Sequence, residues 1–189
     1  MARRRRVKSK GTEDYELHLS VGHYDATVSA GINHNAYSPH LAWNLDERDP
    51  VFEFGSDIHI KSTLIYPDER AGEQYELTFY TADAPSQNLS AVLKDLHKRD
   101  KNGVPQYREY RKKQVPVYSP PKGLGFLNKV RGEPHWTAWI RASGRFVNDT
   151  LTLLQRDGRF FVIVHVRKEE RTHWILSVHL QTKDPAEDV

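Results

Sequence analysis

The last third of the chain alternates apolar and polar residues, which is the pattern of β-strands that bury one face. The pair Asp157-Gly158 is a hairpin signal of type I′, and a polar segment over 168–172 predicts the next turn. The pattern therefore predicts an antiparallel meander of three strands, over residues 150–156, 159–167 and 173–181.

The hairpin register around Asp157-Gly158 predicts which side chains share the core. It places Leu151 opposite Val164 and Leu153 opposite Val162 on one apolar face. Alternation beyond the next turn adds four residues of the third strand to that face: Trp174, Leu176, Val178 and Leu180.

The same alternation recurs upstream. Residues 57–66 and 73–81 form a second predicted hairpin around the turn-rich segment 67–72. To within one residue of register, three apolar residues of the first strand lie opposite three of the second. These are Ile58, Ile60 and Leu64, opposite Phe79, Leu77 and Tyr75 respectively. Further strands are predicted over 15–21, 28–32 and 135–142. The count of about eight or nine strands favours a mainly β fold, an antiparallel β-sandwich or a partly open barrel.

One helix is predicted near 88–99. Its apolar residues have helical spacing after Asn88 as N-cap: Leu89, Val92, Leu93 and Leu96. Residues 114–134 are rich in proline and glycine and read as a long loop. Since no break in composition divides the body, we predict a single β-rich domain over 13–184.

Positive charge is concentrated in two segments. The first ten residues contain six bases and no acid: Arg3, Arg4, Arg5, Arg6, Lys8 and Lys10. Because this segment has few apolar residues to bury, we predict a disordered basic arm over 1–12. Residues 94–113 hold eight bases against three acids, a net charge of +5. Since the whole chain is +3, the remaining residues sum to −8.

Clustered bases indicate a polyanionic partner, most often nucleic acid. In the second segment aromatic residues are interleaved with bases, and this suits single strands, because rings stack on bases while cations follow the phosphates. The predicted nucleic-acid-binding residues of this segment are Lys98, Arg99, Lys101, Tyr107, Arg108, Tyr110, Arg111, Lys112 and Lys113. The competing interpretation is a solvated loop that buries its two tyrosines. The expected partner is DNA or RNA.

Composition excludes several classes of function. The 189 residues include no cysteine, which excludes disulfides, thiol nucleophiles and cysteine-ligated metals. No apolar run approaches the ~20 residues of a membrane span, and the first residues lack the apolar segment of a secretory signal. We therefore expect no membrane partner and a cytoplasmic location, or a nuclear one in a eukaryote. The ten histidines follow no metal-ligand spacing, so neither a metal nor another cofactor is expected.

Two short triplets resemble an enzyme motif. His18-Leu19-Ser20 and His135-Trp136-Thr137 are similar to the paired His-x-Ser/Thr motifs of the 2H phosphoesterase family. The resemblance covers six residues. It implies that each histidine acts as an acid or base and that each hydroxyl holds a phosphate oxygen.

The preferred function is a non-enzymatic, nucleic-acid-associated accessory or structural protein that contacts phosphates through the basic arm, with help from 94–113. The first alternative is a coat or scaffold subunit with a genome-contacting arm, because a basic arm ahead of a β-sandwich resembles the coat proteins of small icosahedral viruses. The second is an enzyme on a β scaffold with histidine acid–base groups. The coat alternative predicts an oligomer.

Overall fold

A computed structural model describes residues 12–32, 52–81, 92–119 and 123–185. The strands in these ranges are β1 (Glu13–Ile32), β2 (Phe52–Tyr66), β3 (Gln74–Thr81), β4 (Tyr107–Tyr110), β5 (Lys113–Pro116), β6 (Gly125–Lys129), β7 (His135–Ala142), β8 (Phe161–Glu169) and β9 (Thr172–Gln181). The α-helix is α1 (Gly144–Leu154), and two 3₁₀ turns cover Asp68–Arg70 and Leu93–Leu96.

Seven of the strands close into a barrel, in the order β1-β2-β3-β7-β6-β9-β8. Neighbouring strands run antiparallel except β3 and β7, which are parallel. The short strands β4 and β5 pair with each other as a separate hairpin. The predicted mainly β fold is therefore confirmed, and its main sheet is a closed barrel rather than a sandwich.

The barrel interior is the hydrophobic core. Leu17 and Leu19 of β1 lie opposite Val164 and Val162 of β8, and all four side chains are fully buried. Fully burying such a side chain stabilises the fold by about 1.5–3 kcal/mol. The alternation seen in the sequence therefore reflects a sheet with one face in the core and one face outside.

Helix α1 covers the end of the barrel where β3 and β7 finish. The hydroxyl of Ser143 caps the helix by accepting a 3.2 Å hydrogen bond from the amide of Phe146. The ring of Phe146 packs on Phe79 of β3, while Val147 and Leu154 are buried. Among the described residues, no helix is long and apolar enough to cross a membrane.

The second predicted hairpin is confirmed as β2 and β3. Ile58 lies opposite Phe79, as predicted, whereas Tyr75 lies opposite Ser62 rather than Leu64. The strand predicted over 28–32 is not a separate element, because β1 runs unbroken from Glu13 to Ile32 and pairs with β2. Between the two predicted strands, β1 has a register shift at Val21–His23 in place of a turn, and such a shift bends a strand without ending it.

The strand predicted over 150–156 is wrong, because these residues form the end of α1 and the loop after it. Val147, Thr150 and Leu154 are buried along one side of α1, at the i, i+3, i+7 spacing of a helix. The helical spacing therefore decides the local structure, and the pair Asp157-Gly158 lies in the loop before β8.

The predicted pairs Leu151–Val164 and Leu153–Val162 are wrong for the same reason. Both leucines are partly buried against the core from α1. The strand beside β8 on that side is β1, whose Leu17 takes the position predicted for Leu151.

The last two strands of the predicted meander are confirmed as β8 and β9, and Val164 lies opposite Val178, which shares its face as predicted. A β-bulge after His165 shifts the register, so that Val166 lies opposite Ile175. Ile175 is therefore buried in the core, while Trp174 pairs with Arg167 outside it.

The α-helix predicted near 88–99 is replaced, where the structure describes it, by the 3₁₀ turn Leu93–Leu96 and an extended segment. His97 and Arg99 form β-bridges with Tyr118 and Pro105. Backbone bonds to these segments replace the i→i−4 bonds that a helix would need. Residues 88–91 lie outside the described residues.

Two further predictions concern loops and termini. The loop predicted over 114–134 contains most of β5 and all of β6, which is a barrel strand. The basic arm predicted over 1–12 lies outside the described residues except for Thr12, which is exposed.

Candidate nucleic-acid interface

Residues 92–119, called the hairpin lobe below, are held together by their own backbone bonds. The amide of Lys98 donates to the carbonyl of Val117, the amide of Val117 to Gln106, and the amide of Gln106 to Lys98, at 2.8–2.9 Å. Three segments thus bond to one another in a closed ring. The β4–β5 hairpin extends from this ring.

The tip of the hairpin is the pair Arg111-Lys112. Their φ angles are 51° and 62°, as in a two-residue turn of type I′. Two cations therefore occupy positions usually held by asparagine and glycine. Lys113 follows directly, so three adjacent positive side chains lie at the tip and first position of β5.

One face of the hairpin is basic. Tyr110 lies opposite Lys113, and Arg108 lies opposite Val115. Because side chains alternate between the two faces of a ribbon, these four residues share one face. We call Arg108, Tyr110 and Lys113, with Arg111 at the tip, the basic face. The tyrosine is 56% exposed, and the Arg111 guanidinium lies 5.3 Å from its ring centroid.

The opposite face of the hairpin is turned toward the ring of the lobe. Tyr107 contacts His97 edge to face, with ring centroids 5.1 Å apart, and His97 also contacts Tyr118 at 5.5 Å. The imidazole Nε2 of His97 lies 3.1 Å from the carbonyl oxygen of Gln106. The two predicted tyrosines are both 56% exposed but have different contacts: Tyr107 contacts His97 of the lobe, and Tyr110 belongs to the basic face.

The remaining predicted cations lie outside the β4–β5 hairpin, over residues 98–101. Lys98 and Lys101 are exposed, whereas the guanidinium of Arg99 donates a 2.9 Å hydrogen bond to the carbonyl of Gly103. Nearby, the Asp100 carboxylate accepts hydrogen bonds from two backbone amides of its own turn. Lys98 and Lys101 are therefore available to a ligand, while Arg99 already helps to hold a turn.

The predicted arm residues are Arg3, Arg4, Arg5, Arg6, Lys8 and Lys10, and all lie outside the described residues. Of the predicted residues in 94–113, the structure brings together Arg108, Tyr110, Arg111, Lys112 and Lys113 on one face and at the tip of the hairpin. The sequence contains no signal for the β4–β5 hairpin. Arg-Lys is not a typical hairpin turn, and apolar and polar residues do not alternate along β4.

A second polar cluster closes the barrel end opposite α1. The Glu73 oxygen Oε2 accepts hydrogen bonds from the Nη2 of Arg70 (2.7 Å), the hydroxyl of Tyr75 (3.2 Å) and the indole N–H of Trp136 (3.0 Å). Burial alone would raise the pKa of Glu73, but hydrogen bonding and charge from Arg70, with the bonds from Tyr75 and Trp136, hold it below its ordinary value.

Two further residues extend this cluster. The hydroxyl of Tyr15 lies 2.7 Å from Nδ1 of His173, whose ring meets Trp136 at 5.3 Å. Burial lowers the pKa of His173, and the cations Lys168 and Arg70 add to the effect. Burial likewise raises the pKa of Tyr15. The polar groups of this cluster hydrogen-bond to one another, so we assign it to barrel closure.

Several histidines lie on the outer face of the barrel. The carboxylate of Glu16 is 3.1 Å from Nε2 of His165 and 3.7 Å from Nε2 of His18, and His179 meets His165 with ring centroids 5.8 Å apart. His135 instead lies 3.5 Å from the carboxylate of Glu76. Within the described ranges, no three His, Asp or Glu side chains are placed to hold a metal ion.

The two triplets that resemble the 2H phosphoesterase motif are not brought together. His18 is on β1 and His135 is on β7, with β2 and β3 between them in the barrel. Three strand spacings of about 4.8 Å separate the two positions along the sheet. A single phosphate group therefore does not reach both histidines.

Two grooves flank α1 where the helix faces β7 and β9. Their volumes are about 280 Å³ and 240 Å³. They share Phe146 and Val178, and the larger also contacts Leu153, Leu180 and Asp149. Neither groove contains an array of groups that would favour catalysis.

Comparison with known proteins adds no relative: no protein-family model, curated protein or solved structure matches this chain. The functional argument therefore rests on the chemistry of the described residues, and the basic face of the hairpin lobe is the strongest candidate site among them.

Proposed function

We propose that the protein binds single-stranded nucleic acid through the basic face of its hairpin lobe. The observation that carries the proposal is the placement of Arg108, Tyr110 and Lys113 side by side on one face, with Arg111 and Lys112 at the tip. Guanidinium and ammonium groups bind phosphate oxygens, and an exposed ring beside them offers a base a surface to stack on.

The charge distribution supports the same proposal. The segment 94–113 carries a net +5, while the chain outside this segment and the first ten residues sums to −8. An acidic body repels a polyanion, so approach through the hairpin lobe is favoured. The basic arm adds a second attachment to phosphates. The protein acts as a non-enzymatic accessory or structural protein in the cytoplasm, or in the nucleus of a eukaryote.

The expected affinity is mostly electrostatic and indifferent to sequence. Four cations surround Tyr110 at the basic face and tip: Arg108, Arg111, Lys112 and Lys113. If each contacts one phosphate, the logarithm of the binding constant falls with the logarithm of salt with a slope of about −3 on a single strand. The arm would make the slope steeper.

The test is a salt titration of binding to labelled single-stranded RNA and DNA of unrelated sequences. The double variant Arg108→Ala with Lys113→Ala should weaken binding to every sequence and flatten the slope by about 1.4. The matched control is Arg131→Ala with Arg145→Ala, which removes the same charge from exposed positions of the barrel and helix. Equal losses from the two double variants would refute a role for the hairpin lobe.

Stacking is tested separately with the two tyrosines. Tyr110→Leu should weaken single-strand binding by about tenfold, since base–aromatic stacking contributes about 1–3 kcal/mol per base. Tyr107→Leu should act on the stability of the lobe, because that ring contacts His97. If the Tyr110→Leu protein binds like the wild type, the ring does not stack on a base and binding depends on phosphate contacts alone. That result would contradict the single-strand proposal.

A further inference from the structure

The strands β1 and β2 continue beyond the barrel as a two-stranded ribbon. The last backbone bond between β1 and the β8 side runs from the amide of Val21 to the carbonyl of Phe160, at 2.9 Å. Past this point β1 pairs with β2 alone among the described residues. Among the described residues, the other edge of β1 over 23–32 therefore has no backbone partner, and we call it the free edge.

This edge lacks the features that usually protect a free strand. Proteins block such edges with lysine, proline, inward-pointing charge or a short strand. Residues 26–32 contain no charged residue and no proline. At the start of the ribbon, the carboxylate of Asp25 lies 3.2 Å from Nε2 of His23.

The ribbon also presents an apolar face. Ile58 of β2 is buried in the core and lies opposite Ala26, and the same face continues outward through Val28 to Phe54. Val28 is 78% exposed and Phe54 is 63% exposed. The face of β1 and β2 that points into the barrel core therefore continues past the core as an exposed apolar surface.

We propose that the free edge of β1 pairs with the same edge of a second copy of this chain, antiparallel and across a two-fold axis. Pairing centred on Thr27 would place Ala26 opposite Val28 and Asp25 opposite Ser29 of the second copy. No like charges meet in this register, so the edge is compatible with itself. An uncharged edge offers no attraction to a strongly charged partner, which favours a second copy.

The expected association is weak and reversible. Ten residues of strand span about 34 Å, and a single ribbon edge covers less than the roughly 800 Å² per partner of a standard interface. In a two-fold interface the free edge of each copy is occupied by that of the other. No free edge then remains, so the assembly should stop at the dimer. The proposal does not depend on nucleic acid and is tested without it.

The experiment measures molar mass by light scattering after size exclusion, on the full chain from about 1 μM to about 1 mM, the range of weak reversible association. Wild type should shift from monomer to dimer as concentration rises. Val28→Lys places a charge at the centre of the edge and should raise the dissociation constant at least about tenfold. The control Gln155→Lys adds the same charge at the exposed residue that follows α1 and should leave the dimer intact.

Amide hydrogen exchange gives a second measurement on the same samples. The amides of 23–32 that face away from β2 should exchange fast at low concentration and slow down as the dimer forms. A wild type that stays monomeric throughout would overturn the proposal. So would a dimer that Val28→Lys leaves unchanged, or a ladder of larger species, which would indicate head-to-tail pairing.

Discussion

The Glu73 carboxylate is the acceptor on which the barrel end opposite α1 depends. Its Oε2 atom accepts hydrogen bonds from the Nε and Nη2 of Arg70, the hydroxyl of Tyr75 and the indole of Trp136. The Glu73 side chain is 19% exposed, and Tyr75 and Trp136 are buried. Replacing Glu73 by alanine removes four hydrogen bonds at once.

The magnitude follows from what remains after the substitution. The indole N–H of Trp136 and the hydroxyl proton of Tyr75 lose their acceptor, and a buried donor without a partner costs about 1–3 kcal/mol. The guanidinium of Arg70 is about one-third exposed and is rehydrated by solvent, so its loss is smaller. Glu73→Ala should therefore lower the free energy of unfolding by about 3 kcal/mol, or the thermal midpoint by roughly 6–12 °C.

The assay is urea unfolding at neutral pH, followed by circular dichroism. The matched control is Glu76→Ala on β3, whose carboxylate is 44% exposed and pairs with Lys61 and His135 at 3.9 Å and 3.5 Å. Exposed pairs of this kind contribute about 0–1 kcal/mol. If Glu73→Ala and Glu76→Ala destabilise the protein equally, the hydrogen bonds to Glu73 do not stabilise this end of the barrel.

Three further predictions test the core, a close approach and the pH dependence. Val164→Asp buries an unpaired carboxylate and should cost several kcal/mol in urea unfolding, whereas His165→Asp, on the outer face, should be far milder. Gly125→Ala should lower the thermal midpoint, since a Cβ there would clash with the carbonyl oxygen of Trp139. Gly144→Ala meets nothing within 4 Å and should leave the midpoint unchanged or raise it. Because the folded pKa of Glu73 lies below its ordinary value of 4.5, its stabilisation is complete above that pH and is lost as pH falls through the folded pKa. Urea unfolding at a series of acidic pH values should therefore show a free energy of unfolding that depends less on pH in Glu73→Gln than in the wild type. The same pH dependence in both proteins would contradict a lowered pKa of Glu73.

Alternation predicted the barrel strands well, because each has one face in the core and one in solvent. Leu17, Ile58 and Val164 are buried as their patterns indicated. The alternation gave the wrong structure for the end of α1. Over so short a segment, the apolar residues around Leu153 and Leu154 are compatible with a strand and with a helix. The bulge after His165 was also beyond prediction, since a one-residue insertion depends on how β8 and β9 meet in the barrel.

The candidate site was predictable in composition but not in arrangement. The bases and tyrosines of 94–113 were visible in the sequence, yet their separation into two faces depends on the turn at Arg111-Lys112. That turn makes Tyr110 a neighbour of Lys113 and directs Tyr107 toward His97. The Glu73 cluster was hidden for another reason, because Tyr15, Trp136 and His173 join Arg70, Glu73 and Tyr75 from segments far away in the chain.

The separation of the hairpin lobe from the barrel has a physical consequence for function. The ring of bonds among Lys98, Gln106 and Val117 is internal to the lobe, and none of its residues belongs to the barrel core. Charge can therefore accumulate on the lobe without burying an ion in the barrel, where a lone charge costs far more than one at the surface. Under the proposed function, an acidic barrel would direct a polyanion to the lobe and the arm. Substitutions on the basic face should thus change binding while leaving the unfolding of the barrel almost unchanged.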